Sequence, residues 1–184
     1  MGGSIASLFP GLDVFRLIDV WNECIFETRD LVPPYLALSY VWGTVSNIRL
    51  TKANRLKALR PGALSVYEVD LPATIRDAMT LFRGLDWKYL WVDSLCLLQN
   101  DPEDLECGVG VIDYIYEKAW LTVIAACGYD ANAGLPGIKP GSRAEQPLAR
   151  KVYPGIFIGA YISLEHLLLT SVNNTRAWTY DFFF

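Results

Sequence analysis

The sequence predicts an α/β domain with a mostly parallel central sheet flanked by helices. Three observations carry this. Residues 89–92, Y-L-W-V, form a continuous apolar run of β-formers, longer than a strand with one wet face would carry. Residues 71–84 place Ile75, Ala78, Met79 and Phe82 at i, i+3, i+4 and i+7, one apolar helix face. These two patterns alternate along the chain, and alternation of strand and helix favours parallel pairing.

In chain order, residues 14–20 (V-F-R-L-I-D-V) predict a leading strand. Pro33 and Pro34 then force extended backbone. Residues 35–41 (Y-L-A-L-S-Y-V) are the second strong strand, followed by Trp42 and Gly43. Residues 48–50 suggest a short strand, and 51–60 one or two helical turns stopped by Pro61-Gly62. Residues 63–70 predict loop with a short strand. Leu71-Pro72 opens the first clear helix and Gly84 stops it. After the 89–92 strand, Asp101 as N-cap, Pro102 at the first helical position, and Glu103 and Asp104 in the first turn mark a helix over 101–119. Its expected buried stripe is Leu105, Val109, Ile112, Tyr116 and Ala119, with Gly108 and Gly110 weakening it. Residues 121–126 (L-T-V-I-A-A) predict a third buried strand. Gly and Pro make 128–143 a loop, 152–162 is expected as β, and 164–169 as a short helix. Leu90, Val92, Ile112, Val123 and Ile124 are the expected core.

Composition bounds the function. The chain has 184 residues, 52% hydrophobic and 13% aromatic, enough for one domain with a sizeable core. Net charge is −4 and no long basic run stands out, which argues against nucleic acid as the main partner. Cys24, Cys96, Cys107 and Cys127 show no C-x-x-C spacing, and His166 is the one histidine, so a zinc site is not expected. The cysteines are expected to be buried, reduced thiols of an intracellular protein. No signal peptide or membrane span is apparent, and the expected location is cytoplasmic.

Polar residues just past buried strands are the candidate site, because the carboxyl ends of parallel strands share a crevice. Asp93 and Ser94 follow the 89–92 strand directly. Asp93 could serve as a polar anchor or in acid–base chemistry, or cap a loop through backbone N–H groups. Ser39 and Tyr40 end the 35–41 strand. Trp42 could be a flat wall for a planar ligand or a core residue, and Gly43 allows a tight exit. Cys96 lacks an adjacent base and is expected to be a buried thiol, not a nucleophile. Gln99 is expected to hydrogen-bond loop backbone. Arg176 could bind a phosphate or form a surface ion pair. The expectation is that Tyr40, Trp42, Gly43, Asp93, Cys96 and Gln99 cluster, with Arg176 and Trp178 closing the group.

Several separated stretches together resemble the fungal heterokaryon incompatibility (HET) domain. They are Y-L-A-L-S-Y-V-W-G (35–43), L-P-A-T-I-R-D-A (71–78), Y-L-W-V-D-S-L-C-L-L-Q-N-D (89–101), I-Y-E-K-A (115–119), residues 122–126, G-L-P-G (134–137) and R-A-W-T-Y (176–180). Their order and rough spacing match as well. The resemblance implies a module over 35–184 that stops short of its C-terminal end, with 1–34 as an N-terminal extension carrying the leading strand. It implies a signalling or effector role in fungal non-self recognition and programmed cell death, through protein partners or self-association. The family is also similar to the Toll/interleukin-receptor (TIR) fold, which implies a TIR-like core with insertions. Under that analogy no cofactor is required, and NAD is a substrate only in an NAD-cleaving hydrolase reading; the rival is an inactive, self-associating adaptor. The family pattern continues R-x-W-T-x-Q-E, whereas Asp181 and Phe182 stand at the last two positions here. A missing glutamate favours the non-enzymatic reading.

Overall fold

A computed structural model describes residues 3–44, 48–65, 71–143, 150–159, 166 and 171–172. After a one-turn helix α1 (Ile5–Leu8), the strands β1 (Phe15–Asp19) and β2 (Cys24–Thr28) form a hairpin. Then come β3 (Leu36–Ser39), α2 (Arg55–Ala58), α3 (Ala73–Gly84), β4 (Tyr89–Trp91) and α4 (Asp93–Cys96). The helices α5 (Pro102–Gly110) and α6 (Ile112–Lys118) lead to β5 (Thr122–Ile124), and β6 (Arg150–Tyr153) pairs with β7 (Ile156–Ile158) as a separate hairpin.

The architecture is α/β, and its main sheet is mixed, with strand order β2-β1-β4-β3-β5. The expected mostly parallel sheet is corrected here: antiparallel partner pairs outnumber parallel ones, seven to five. The three strands foreseen together do share the sheet, β3 running parallel to both β4 and β5. Their connections carry helices, as parallel pairing requires. The antiparallel part comes from the N-terminal hairpin. Only four residues separate β1 from β2, too few for a crossover, and β1 then docks antiparallel on β4 through Ile18–Leu90 and Asp19–Tyr89. Residues 1–34 thus supply two of the five strands. The turn before β2, through Trp21-Asn22-Glu23, contains no glycine.

Asp19 builds that turn instead. Its Oδ1 accepts the N–H groups of Trp21 (3.0 Å) and Asn22 (2.9 Å), and Oδ2 accepts the Asn22 side-chain amide at 2.8 Å. Burial opposes the charge, but these hydrogen bonds and Lys88 outweigh it and hold the Asp19 carboxyl below its ordinary range. Asp19→Ala is expected to lower stability by about 1–2 kcal/mol by removing the acceptor that fixes the turn, its donors being part-buried. An unchanged urea midpoint would contradict this.

Every residue of β1 and β3 is buried, so the sheet centre is covered on both faces. The α3 face contributes Ile75, Ala78, Met79 and Phe82, all buried, and Leu90 and Val92 are fully buried with them. Three expected core residues are not. Val123 and Ile124 are only partly buried because β5 is an edge strand, and Ile112 is partly buried because the foreseen 101–119 helix breaks at Val111. Val111 leaves helical geometry (φ −123°, ψ 15°). The break turns the apolar face: Gly108, Val111, Ile115 and Tyr116 are buried, while Val109 is 54% exposed. Gly108 sits flush on Leu97, where a Cβ would lie 2.3 Å from Leu97 Cδ2. Cys24 and Cys96 are buried as expected, but Cys107 and Cys127 are exposed, the first on the outer face of α5 and the second past the end of β5.

A charged network absent from the sequence reading ties these layers together. Buried Arg16 on β1 binds Glu27 on β2 (2.9 Å) and Asp104 on α5 (2.7 Å), and Arg55 on α2 binds Glu27 through Nε at 2.6 Å. Asp104 also accepts the Leu98 N–H at 2.7 Å. Among the described residues no helix is long and apolar enough to cross a membrane.

Candidate functional site

The ends of β3 and β4 lie side by side because the two strands are parallel, in register at Leu36–Leu90 and Ala37–Trp91. Chain leaving β4 turns at once into α4, whose first residue is Asp93. Chain leaving β3 passes Tyr40 to Trp42. The Trp42 indole N–H points at the Asp93 carboxylate, 3.0 Å from Oδ1 and 3.1 Å from Oδ2. Asp93 Oδ1 also accepts the Ser94 N–H at 2.7 Å. One step deeper, the Tyr40 and Ser94 hydroxyls share a hydrogen bond of 2.9 Å. The Gln99 amide donates to the carbonyls of Asp93 (3.0 Å) and Leu97 (3.2 Å), so it fixes loop backbone. Ser39 is buried, and its carbonyl accepts the Ala125 N–H.

Cys96 is fully enclosed. Burial pushes its thiol up to about 12, and its sulfur lies 3.3 Å from the Val92 N–H. A thiol so placed is a packing group and not a nucleophile. Gly43 has φ +65°, and a Cβ there would lie 2.4 Å from Asp130 Cβ and 2.8 Å from Asp130 Cα. The loop after β5 therefore closes directly on the Trp42 turn, and the Ala131 N–H bonds the Trp42 carbonyl. On its other side the same loop caps α3. Asn132 Oδ1 accepts the Ala73 N–H, Thr74 Oγ1 accepts the Gly134 N–H, and buried Asp77 accepts the Leu135 N–H at 2.9 Å. The stretches 71–78 and 134–137, far apart in sequence, are thus one hydrogen-bonded unit beside the site.

Trp42 meets Asp93 directly, Tyr40 joins through Ser94 and Gln99 through the Asp93 carbonyl, while Gly43 follows Trp42 and packs on Asp130; the Cys96 sulfur turns instead to Val92 and Leu90. Arg176 and Trp178 lie outside the described residues. Two participants were not foreseen. Arg49 places its guanidinium 4.8 Å from the Trp42 ring centroid, and Asp130 packs against Gly43. A basic residue ten positions past the end of β3 gives no local signal, and neither does an aspartate in a loop of Gly and Asn. Chemically, the Asp93 carboxylate is engaged by fixed donors, which suits an anchor between two strand ends. The groups turned outward are the half-buried Trp42 ring and the exposed Arg49 cation, a flat face with a positive charge over it. Among the described residues, no group of acidic, His and Cys side chains is arranged to hold a metal ion.

Trp42→Phe is expected to cost about 1.5–3 kcal/mol, the range for a hydrogen bond to a charged group, while keeping most of the ring contact. A melting temperature equal to wild type would show that the Trp42–Asp93 bond contributes nothing to the fold.

The family model described as heterokaryon incompatibility protein (HET) matches residues 35–181. A curated relative, heterokaryon incompatibility protein 6, OR allele, of Neurospora crassa, is 30% identical over 106 residues. That alignment covers 55% of this chain and 16% of the relative, so the chain spans a small part of the relative's length. No solved structure matches the chain.

Proposed function

The chain belongs to the heterokaryon incompatibility family, and from that membership we propose that it acts as a signalling or effector module in fungal non-self recognition, ending in programmed cell death. The observation that carries the reading is the family match over 35–181, which takes in the parallel strands β3, β4 and β5, the α3 unit and the Trp42–Asp93 cluster. The proposed working surface is the carboxyl edge of β3 and β4, where Trp42, Gly43 and Gln99 reach the surface over the buried Ser39, Tyr40, Asp93 and Cys96, with Arg176 and Trp178 as its sequence-derived members. A TIR-like core belongs to the same proposal. Its support is the strand order β4-β3-β5, three parallel strands with the first in the middle, as at the start of a doubly wound sheet. The proposed location is cytoplasmic.

The test is inducible expression of the 184-residue chain in a filamentous fungus, with viability followed by dye exclusion. Wild type is expected to reduce viability, and Asp93→Ala to lose that effect at equal protein level. Full viability with abundant wild-type protein would sink the proposal. A second reading, cleavage of NAD, draws on the flat Trp42 ring and the Arg49 cation beside a carboxylate. The engaged state of Asp93 weighs against it as a catalytic base. NAD turnover by the purified chain, abolished in Asp93→Asn, would favour the enzyme; no turnover leaves the adaptor reading.

A further inference from the structure

The charges of this chain are segregated. Residues 49–60 hold five cations (Arg49, Lys52, Arg55, Lys57, Arg60) and no acid, although the whole chain is −4. Residues 101–117 hold six acids and no base. The two segments meet at a seam where Lys52 Nζ pairs with Asp101 at 3.0 Å and the Lys52 N–H bonds the Asn100 side chain at 2.9 Å. Behind the seam, Arg55 and Asp104 turn inward to the Arg16–Glu27 network. The remaining charges face out. Lys57 and Arg60 on one side, and Glu103 and Glu106 on the other, are exposed, and none has an ion-pair partner among the described residues. Leu56 stands among the cations, 72% exposed.

We infer that this bipolar face binds a second copy of the same chain about a two-fold axis through the Lys52–Asp101 seam. A basic patch beside an acidic patch is self-complementary under a half-turn. Each copy's Lys57 and Arg60 meet the other's Glu103 and Glu106, so every contact is made twice. Like-charge repulsion within each patch is relieved in the same step, and Leu56 leaves water. An anionic membrane or a nucleic acid would use only the basic half and would give the acidic half no part. Exposed ion pairs are individually weak and salt-sensitive, so the pair is expected to be weak and reversible. The inference adds to the signalling reading a means of bringing copies together, but its test needs no cell-death readout.

The experiment is sedimentation of the purified 184-residue chain. Wild type is expected to dimerise at low ionic strength and to become monomeric at about 1 M salt, where the screening length is about 3 Å. The Lys57→Glu/Arg60→Glu and Glu103→Lys/Glu106→Lys variants should each be monomeric alone, yet form a heterodimer when mixed, because one is acidic and the other basic on both patches. Where a double variant fails to fold, Arg60→Gln and Glu106→Gln replace it and should each weaken dimerisation several-fold. A wild type monomeric at low salt, a reversed variant that still self-associates, a mixture that stays monomeric, or growth beyond two copies would each overturn the inference.

Discussion

Asp104→Ala is expected to lower stability by about 3–5 kcal/mol, the cost of removing one partner from a buried ion pair. Arg16 is the reason. Its side chain is 3% exposed, and Asp104 supplies two of its hydrogen bonds, at 2.7 and 2.9 Å. Asp104 also satisfies the Leu98 N–H, so the substitution strands a donor in the loop between α4 and α5 as well. Asp104→Asn keeps an acceptor there and should lose less. The same network sets a dependence on acid. Burial alone would raise the Glu27 pKa, but hydrogen bonds from Arg55 and Arg16 outweigh it and hold the carboxyl below its ordinary value of 4.5. The folded state therefore binds this proton less readily than the unfolded chain. The stabilisation is complete above pH 4.5 and is lost as pH falls below it, through the lowered value. Urea unfolding followed downward from pH 6 should show this slope, and Glu27→Gln should flatten it. Asp104→Ala within 1 kcal/mol of wild type, or an unchanged slope in Glu27→Gln, would show the network to be decorative.

Trp91→Ala is expected to cost about 3–5 kcal/mol, as large aromatic deletions in a core do. Trp91 is 1% exposed and meets Tyr116 edge-on, with ring centroids 5.2 Å apart. It joins the sheet to α6, so its loss opens a cavity between layers that cannot easily collapse. Val123→Ala offers the contrast. Val123 lies on the edge strand β5 and is only partly buried, so its truncation should cost about 1 kcal/mol. Calorimetry of both variants checks the difference. Equal losses would mean that the edge strand is packed as tightly as the sheet centre.

The sequence by itself determined the elements whose cause is local. The α3 face, the β4 run and the Pro102 helix start each follow from residue spacing, and all are present. It also brought Trp42 and Asp93 into one neighbourhood, because residues just past parallel strands share an edge. Only the tertiary structure decided the rest. The strand β2 exists because Asp19 folds a turn that has no glycine, an interaction of a side chain with backbone donors that periodicity does not register. The sheet is mixed because that hairpin finds β4, a choice of neighbour made over about seventy residues. The helix breaks at Val111 while Gly108 lies against Leu97, so Ile112 leaves the core that its spacing assigned to it. Arg16 is buried in an otherwise mostly apolar strand, where the one acid, Asp19, is three positions on and so faces the other side of the sheet. Glu27 and Asp104 arrive from elsewhere in the chain, and only packing brings them within reach.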